Sequence, residues 1–448
     1  MEIQEVLNNM FYRNPNAPPP LIVKSEGVYL YYSNGQKMLD ASGGPMAVNI
    51  GYGRKEIAKA AEQLLDKISY ILPVFASEAR INLTKRIKKL MPKNLTRIYF
   101  CSGGSEANEA AIKLARQYQI LKGETSRYKI ISRKLSYHGM TIATLSLGDI
   151  KMRKRDFLPM LLESWPIEAC YCYRCPYETA YPGCDLDCAH ALEERILAEG
   201  PETVAAFLAE PVVAAAAGAT VPPPEYFPII REICDKYGVL LIADEVVTGF
   251  GRTGKNMGMN LFNTVPDVAT FAKGVSSGYA PLGGMAVKED IMELFEETRS
   301  EFQHLYTFSA HPLCCAIANE VQRIIEEENL VDRAAKMGVY LRKALEQIES
   351  LPMVGDVRGK GMLWGIEFVK NKQTKEPFSA EKRVKGNILR GCAMKGVMFY
   401  PGYYEDEQGR GDQIIISPPF IITEDEIDRC VSVLKETLEE SQDTFYAN

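Results

Sequence analysis

The sequence has no long apolar run and no concentration of basic residues. No stretch approaches the roughly 20 apolar residues of a membrane-spanning helix, and segment 1–20 lacks the basic and apolar regions of a secretion signal. The formal net charge is −6 and the basic residues are scattered, which argues against nucleic acid and anionic lipid as partners. We therefore expect a cytoplasmic protein that acts on small molecules.

Length and composition allow a large folded core. The chain has 448 residues, of which 46% are hydrophobic, enough to form more than one domain. It also has 11 cysteines. In a large chain without a secretion signal, we expect these to be reduced thiols or metal ligands before disulfides.

Short apolar segments alternate with longer segments of helical period through the middle of the chain. This alternation predicts an α/β fold with a mostly parallel sheet covered by helices. The predicted strands are 97–101, 128–132, 203–208, 239–243 and 268–272. Several end in polar residues, as expected where ligands lie beyond the carboxyl ends of strands.

The pattern changes after about residue 325. Charged helices are predicted at 320–350 and 380–395, with short strands around 362–368 and 413–417. We predict a large domain at 55–325, with a cysteine-rich insertion at 170–190, and a smaller α+β domain at 326–448. Residues 1–54 form a proline-rich arm and a hairpin with an Asn34-Gly35 turn, expected to pack with the small domain.

A glycine-rich turn follows the first predicted strand, in IYFCSGGSEANEAAIKLARQY. Apolar residues recur at helical spacing after it, which predicts a helix with Ser105 as its N-cap. The free amides at such a helix start bind anions, and Gly103 and Gly104 let a phosphate approach the backbone. A capped helix after a strand needs no ligand, so this segment alone leaves both interpretations open.

Two further strand ends carry ionisable residues. An apolar strand ends at Asp244, whose buried carboxylate needs a cationic partner. A protonated pyridine nitrogen is one such partner, and a structural pair with Arg252 is the alternative. The next strand ends at Lys273, where an apolar setting favours a lowered pKa and Schiff-base chemistry. Tyr137 follows another strand and offers a flat ring for a planar cofactor, although core packing explains an isolated tyrosine as well.

Six ordered segments resemble the class III (omega) aminotransferases of pyridoxal 5′-phosphate (PLP) fold type I. They are SGGSEANEAAIK at 102–113, SYHG at 136–139, AEPV at 209–212, LIADEVVTGFGRTG at 241–254, AKGVSSGYAPLGG at 272–284 and TFSAHPLCCA at 307–316. The resemblance extends over nearly the whole chain. It implies a PLP-dependent transaminase that moves an amino group from an amine or ω-amino acid donor to a keto acid acceptor by a ping-pong mechanism.

The resemblance also implies roles for the matching residues. Lys273 would carry PLP as a Schiff base and shuttle the proton, and Asp244 would pair with the pyridinium nitrogen. Tyr137 would stack on one face of the ring and Val246 would pack on the other. Glu210 would hold a polar network near the cofactor.

The phosphate of PLP would be bound by two groups of residues. The resemblance places Gly104 and Ser105 of one subunit against it, and Thr307 of a neighbouring subunit. At least a homodimer is therefore implied, with the active site at the subunit interface.

The substrate side departs from the commoner family pattern. Met46 stands where many amine-directed relatives have tryptophan, which predicts a wider or softer wall, and VVAAAAGAT after Glu210 has alanines in place of glycines. Many relatives bind the keto acid carboxylate with an arginine in a late loop. Arg410 is the candidate here, and a solvated loop residue is the alternative.

The cysteines cluster in CYCYRCPYETAYPGCDLDC, which spans Cys170 to Cys188. Cys172, Cys175, Cys184 and Cys188 have a spacing close to that of zinc ligands, which predicts a structural zinc ion that holds the insertion together. Free thiols or a disulfide are the alternatives.

Other activities share the motifs. A PLP-dependent racemase or epimerase, or a phospholyase acting on amino alcohol phosphates, would use the same fold, and a non-catalytic binding or scaffold protein would keep it. The sequence leaves the donor open among ω-amino acids, diamines, sulfonates and simple amines, with pyruvate or 2-oxoglutarate as acceptor.

Overall fold

The computed structural model describes residues 9–11 and 19–446. Most of the predicted proline-rich arm lies outside them. The strands are β1 (Ile22–Glu26), β2 (Tyr29–Tyr32), β3 (Lys37–Asp40), β4 (Leu95–Cys101), β5 (Lys129–Arg133), β6 (Trp165–Ile167), β7 (Val204–Ala209), β8 (Leu240–Asp244), β9 (Val268–Phe271), β10 (Gly283–Lys288), β11 (Val354–Lys360), β12 (Leu363–Phe368), β13 (Val397–Met398), β14 (Tyr400–Pro401) and β15 (Asp412–Ile416).

The helices are α1 (Gly43–Met46), α2 (Lys55–Leu65), α3 (Glu78–Leu90), α4 (Gly104–Leu121), α5 (Ile142–Leu147), α6 (Lys151–Lys154), α7 (Asp187–Glu199), α8 (Tyr226–Tyr237), α9 (Glu289–Glu297), α10 (Pro312–Glu327), α11 (Leu330–Glu349), α12 (Val384–Met394) and α13 (Glu424–Tyr446). None of the helices in the described ranges has the length and apolar character needed to cross a membrane. The expected cytoplasmic location stays a prediction.

A seven-stranded sheet in the order β4-β10-β9-β8-β7-β5-β6 forms the centre of the fold. Strands β5 to β9 pair in parallel, and β10 runs antiparallel to both β4 and β9. Every strand except β10 therefore points the same way. The carboxyl ends of β4, β5, β7, β8 and β9 meet at one edge, where open α/β sheets bind ligands.

Helices cover both faces of this sheet because its central strands are apolar on both sides. All six residues of β7 are buried, as expected for a parallel strand between two helical layers. Phe207 packs with α7 and α8 on one face, whereas Leu208 packs with α4 and α9 on the other. Adjacent side chains of a strand point to opposite faces, so one short sequence serves two cores.

The five predicted strands are confirmed to within a few residues, and two strands of the sheet, β6 and β10, were not predicted. The single long helix predicted at 320–350 is wrong. It is two helices, α10 and α11, separated at Asn329, whose φ of 51° lies in the left-handed region. Asparagine tolerates that conformation better than most residues and commonly ends a helix there.

Two four-stranded sheets lie outside the central one, in the orders β1-β2-β3-β13 and β11-β12-β15-β14. The predicted hairpin is confirmed as β2 and β3, with Gly35 at a φ of 85° in its turn. Strand β3 pairs in parallel with β13, which joins the N-terminal hairpin to the C-terminal third of the chain. The predicted domain boundaries stay a prediction.

Candidate active site

A cavity of about 140 Å³ lies at the carboxyl edge of the central sheet. Its walls come from the segments that follow β4, β5, β7, β8 and β9. Seven of the residues singled out from the sequence line it, namely Gly104, Ser105, Tyr137, Glu210, Asp244, Val246 and Lys273. Separate motifs therefore converge on one site, as the common direction of these strands requires.

Asp244 ends β8 and is 3% exposed. Its Oδ2 accepts a hydrogen bond of 2.8 Å from Asn108 Nδ2 and lies 2.8 Å from His138 Nδ1, and its Oδ1 accepts from the Val246 amide at 3.1 Å. These contacts hold the carboxylate in one orientation and compensate its burial. The alternative pair with Arg252 does not form, since that guanidinium binds Asn49 Oδ1 and the carbonyl of Pro418 at 2.7 Å each.

Asn108 and His138 also line the cavity, although neither was among the predicted site residues. Asn108 lies on the buried face of α4, where its Nδ2 also donates to the His138 carbonyl at 2.7 Å and its Oδ1 accepts from Thr270 Oγ1 at 2.7 Å. The available signal was a polar residue on an apolar helix face, since a buried amide needs partners. Imidazole atom Nε2 of His138 is buried without a hydrogen-bond partner among the described residues.

Lys273 follows β9 and its backbone has a φ of 44°, in the left-handed region. Such a conformation is uncommon outside glycine and is often found at functional sites. Burial is the main cause that lowers the pKa of Lys273 to about 8. The guanidinium groups of Arg252 and Arg153 lower this pKa further, whereas the carboxylates of Asp244 and Glu210 raise it. A neutral amine fraction is therefore available near neutral pH.

Glu210 directly follows β7 and is almost fully buried. Its Oε2 accepts from the Tyr137 amide at 3.2 Å, and its own carbonyl accepts from Arg133 Nη2. Burial raises the pKa of Glu210 to about 7, and the neighbouring Asp244 adds to the rise, whereas His138 and Arg133 oppose it. Glu210 is thus poised to change protonation near neutral pH.

The start of α4 forms a close-packed cradle beside the cavity. The helix begins at Gly104 with Gly103 as N-cap, so the predicted N-cap Ser105 is wrong. The Ser105 hydroxyl instead accepts from the Met140 amide at 3.1 Å. A Cβ on Gly104 would lie 2.9 Å from Val246 Cγ1, and one on Gly139, at a φ of 142°, would lie 2.5 Å from Ser105 Oγ.

Three predicted site residues lie outside the cavity wall. Thr307 is exposed, and its carbonyl accepts from the Tyr70 hydroxyl at 3.0 Å. Met46 is 2% exposed and packs in an apolar cluster with Val212, which does line the cavity. Arg410 forms an ion pair of 2.9 Å with Asp406 through Nη2. Their predicted roles stay predictions.

The cysteine-rich segment brings its thiols near one another around one small pocket, which Cys170, Cys172, Cys175, Cys184 and Cys188 all line. In the described part of the chain, no group of three or more histidine, cysteine, aspartate or glutamate side chains is arranged to hold a metal ion. The zinc prediction for Cys172, Cys175, Cys184 and Cys188 gains no support from this arrangement and stays a prediction. Cys188 Sγ lies 3.5 Å from Sγ of Cys170, a residue outside the predicted set, and Cys175 Sγ lies 3.4 Å from Thr179 Oγ1.

The cavity suits PLP on the basis of its side chains. The amides at the start of α4 match an anion such as phosphate, because free N–H groups and the positive helix end meet there. The fixed carboxylate of Asp244 matches a protonated ring nitrogen, and Lys273 supplies the amine for a Schiff base. Gly104 lies so close to Val246 that a side chain in its place would fill the space beside the helix start.

Comparison with known proteins identifies the family. The sequence matches the family described as aminotransferase class-III over residues 11–438. An uncharacterised aminotransferase from Schizosaccharomyces pombe is 40% identical over 97% of this chain and 95% of its own length. A putrescine–pyruvate aminotransferase from Pseudomonas aeruginosa is 37% identical over 94% of this chain and 91% of its own.

The fold agrees with that match. An amine transaminase from an uncultivated Pseudomonas species, solved in its PLP-bound form, superposes with a TM-score of 0.89 and 35% identity, over 94% of this chain and 95% of that one. Fold and sequence therefore lead to the same family. The chain belongs to the class III aminotransferases and has PLP fold type I.

Proposed function

We propose that the Lys273 cavity binds PLP and transfers amino groups from an amine or ω-amino acid donor to a keto acid acceptor. The observation that carries this proposal is the meeting of Lys273 and Asp244 at two neighbouring strand ends around one cavity. When bound, PLP supplies an electron sink that acidifies the C–H bond of the carbon that bears the amino group. The protein supplies position, charge and a proton carrier.

Asp244 would hold a proton on the ring nitrogen of a bound PLP. Asn108 and His138 hold its Oδ2, so the carboxylate does not reorient when charge moves through the ring. A fixed charge of this kind needs no reorganisation during the reaction and stabilises the charge that develops. Loss of the charge would weaken the electron sink, and loss of Asn108 or His138 would loosen its orientation.

Lys273 moves the proton. Its lowered pKa, about 8, leaves part of the amine neutral near neutral pH, so it can take a proton from the substrate carbon and return one. The left-handed backbone at Lys273 turns the chain sharply after β9, which ends at Phe271. Lysine and carboxylate thus act on the same ligand from adjacent strands.

We propose that the site is completed by a second copy of the chain, with Thr307 reaching the phosphate of the partner. Leu305 and Phe308 are close to Thr307 in the chain and are 60% and 57% exposed, and the 40% exposed Tyr70 bonds the Thr307 carbonyl and contacts the Phe308 ring. Such a patch on a soluble protein commonly marks an interface. Phe308→Asp should convert a dimer to a monomer by light scattering and weaken PLP binding; a wild-type protein that is monomeric and fully active contradicts this.

The similarity to a putrescine–pyruvate aminotransferase supports an amine donor and a keto acid acceptor. A racemase, an epimerase or a phospholyase is the alternative. Each of these enzymes uses PLP, but none leaves the substrate's nitrogen on the cofactor at the end of a turnover. Transaminases differ in that one donor leaves its nitrogen on the cofactor. The two classes therefore separate in a single turnover.

Absorption spectroscopy tests this proposal. Protein saturated with PLP should show the visible band of lysine-bound cofactor, and Lys273→Ala should lose it. Addition of an amino donor without acceptor should then convert the cofactor stoichiometrically to its amine form, and pyruvate should restore the band. No visible band in the wild type, or turnover without such conversion, would overturn the proposal.

A further inference from the structure

Arg153 places a positive charge beside the cavity. It lies on the short helix α6, and its guanidinium carbon is 4.7 Å from the ring centroid of Tyr137 and 4.7 Å from that of Tyr403. Tyr137 lines the cavity that contains Lys273. Arg153 also contributes to the lowered pKa of Lys273, behind burial as the main cause. Its field therefore reaches the reacting centre.

Arg153 has no acidic partner among the residues that the structure describes. Across residues 19–446, no carboxylate forms an ion pair with it, and its polar contacts are the hydroxyls of Tyr137 and Tyr403 and a long contact of 3.8 Å to Met140 Sδ. Two residues later, Arg155 pairs with Asp156 at 3.1 Å, and the candidate Arg410 pairs with Asp406. A half-buried guanidinium without a counter-ion is costly unless an anion joins it.

The surroundings suit a carboxylate. Two tyrosine rings lie within 4.7 Å of the guanidinium carbon, measured to the ring centroids, and their hydroxyls use part of its donor capacity. A guanidinium has about five N–H donors, so others remain for an anion. A guanidinium edge binds a carboxylate with two parallel hydrogen bonds. The flanking tyrosines limit the rotation of the side chain, so less entropy is lost when the anion binds.

The position of Arg153 selects among carboxylates. Arg153 contacts the ring of Tyr137, which lines the cavity, but is not itself part of the wall around Lys273. A carboxylate adjacent to the reacting carbon would stay near the lysine. A carboxylate several bonds away would extend past Tyr137 to the guanidinium.

We infer that Arg153 binds the distal carboxylate of an ω-amino acid donor and so makes this enzyme prefer such donors over alkyl amines. The inference rests on the proposed function, because it names the substrate class of that site. Arg410, whose charge is already neutralised by Asp406, is the competing candidate for a substrate carboxylate.

Two donors of equal chain length test the inference. We would measure single-turnover conversion of the PLP-loaded protein to its amine form with 4-aminobutyrate and with butylamine, which lacks the carboxylate. Arg153→Met should raise the apparent dissociation constant of 4-aminobutyrate about 30-fold, the size expected for loss of a charged hydrogen-bonded pair. Butylamine should change by less than about twofold, and Arg153→Lys should recover part of the loss, because it keeps the charge without the fork.

Matched variants give the controls. Arg155→Met removes an exposed, paired arginine from the same segment and should leave both donors within about twofold. Butyrate, which cannot react, should compete with 4-aminobutyrate in the wild type and lose this effect in Arg153→Met, which reports binding apart from chemistry. A role in positioning Tyr137 alone would slow both donors equally and leave butyrate unaffected.

The outcomes separate the two proposals. Two results overturn the role of Arg153 and leave the transaminase proposal intact. One is conversion of butylamine with no preference for 4-aminobutyrate. The other is a selective loss of 4-aminobutyrate binding in Arg410→Met but not in Arg153→Met. No visible band and no conversion with any donor overturns both.

Discussion

Two regions of this molecule carry clusters of ionisable side chains, and they differ in what positions them. The Lys273 cavity draws its residues from five strand ends, and Asp244 has a protein partner for each of its carboxylate oxygens. The cysteine-rich segment runs from the connection after β6 into the first turn of α7, and there the Cys170 thiol contacts those of Cys172 and Cys188 while no described group of side chains forms a metal site. A sheet edge brings distant residues together in fixed directions, whereas spacing within one connection does not set the directions of its thiols.

The contrast between the two regions is tested first at the Lys273 cavity. Lys273→Ala should abolish the visible band of bound PLP and lower the rate of amino transfer by about 1,000-fold or more, because both the covalent anchor and the proton carrier are lost. Absorption and single-turnover kinetics measure this. A variant that retains the band would mean that another amine holds the cofactor.

Asp244 and Glu245 are adjacent buried carboxylates, and substituting each of them separates a role in chemistry from a role in stability. Asp244→Asn should reduce the rate by about 100- to 1,000-fold, the range for removing one preorganised electrostatic partner, while the unfolding midpoint changes little. Glu245 instead accepts from the amides of Gly258 and Met259 at 2.7 and 2.8 Å. Glu245→Gln is the matched control and should lower stability more than it lowers the rate.

Equal kinetic losses in the two variants would contradict this division of roles. The measurements are steady-state kinetics with saturating PLP and thermal unfolding of the same preparations. Because both side chains are buried in one strand end and its following turn, a general disturbance of the site would affect them alike. A difference between them therefore reports the chemistry of Asp244.

The sequence predicted the cavity better than the cysteine segment for a physical reason. Apolar strands that end in Asp244 and Lys273 must be buried and parallel, so their ends converge. The supports of Asp244 were harder to predict. Asn108 gave one signal, a polar residue on an apolar helix face, whereas His138 and Thr270 look like ordinary loop and strand residues until the fold joins them.

Local geometry limited the predictions in both regions. Ser105 was predicted as the N-cap of α4 because serine favours that position, but the helix begins one residue before it, at Gly104. In the cysteine segment the spacing fits zinc ligands, but spacing fixes only sequence distance. The five thiols border one small pocket, but without regular pairing to set their directions they do not form a metal-binding group among the described residues.

Protonation at Glu210 gives a smaller effect that is specific to the cavity. Its pKa is raised from 4.5 to about 7 in the folded protein, so between these values the folded state holds more protons than the unfolded state. The stability that Glu210 contributes to the PLP-free protein should therefore fall as pH rises from about 4.5 to 7. Glu210→Gln should remove this loss of about 3 kcal/mol, measured by denaturant unfolding across this range. Parallel pH profiles for wild type and variant would show that Glu210 is already ionised.

The smallest effect is expected in the cysteine segment, where it completes the comparison. Incubation with a strong chelator should shift the unfolding midpoint by less than about 1 °C, because no described group of three or more metal-ligating side chains is arranged to hold a metal ion. All 11 cysteines are free, so thiol titration after denaturation under argon should count 11. A structural zinc ion would instead protect thiols in the native protein, co-purify at one equivalent and lower the midpoint by several degrees when removed. That result would mean that the cysteines after β6 form a second functional cluster, whose side chains are positioned by a metal ion and not by the sheet.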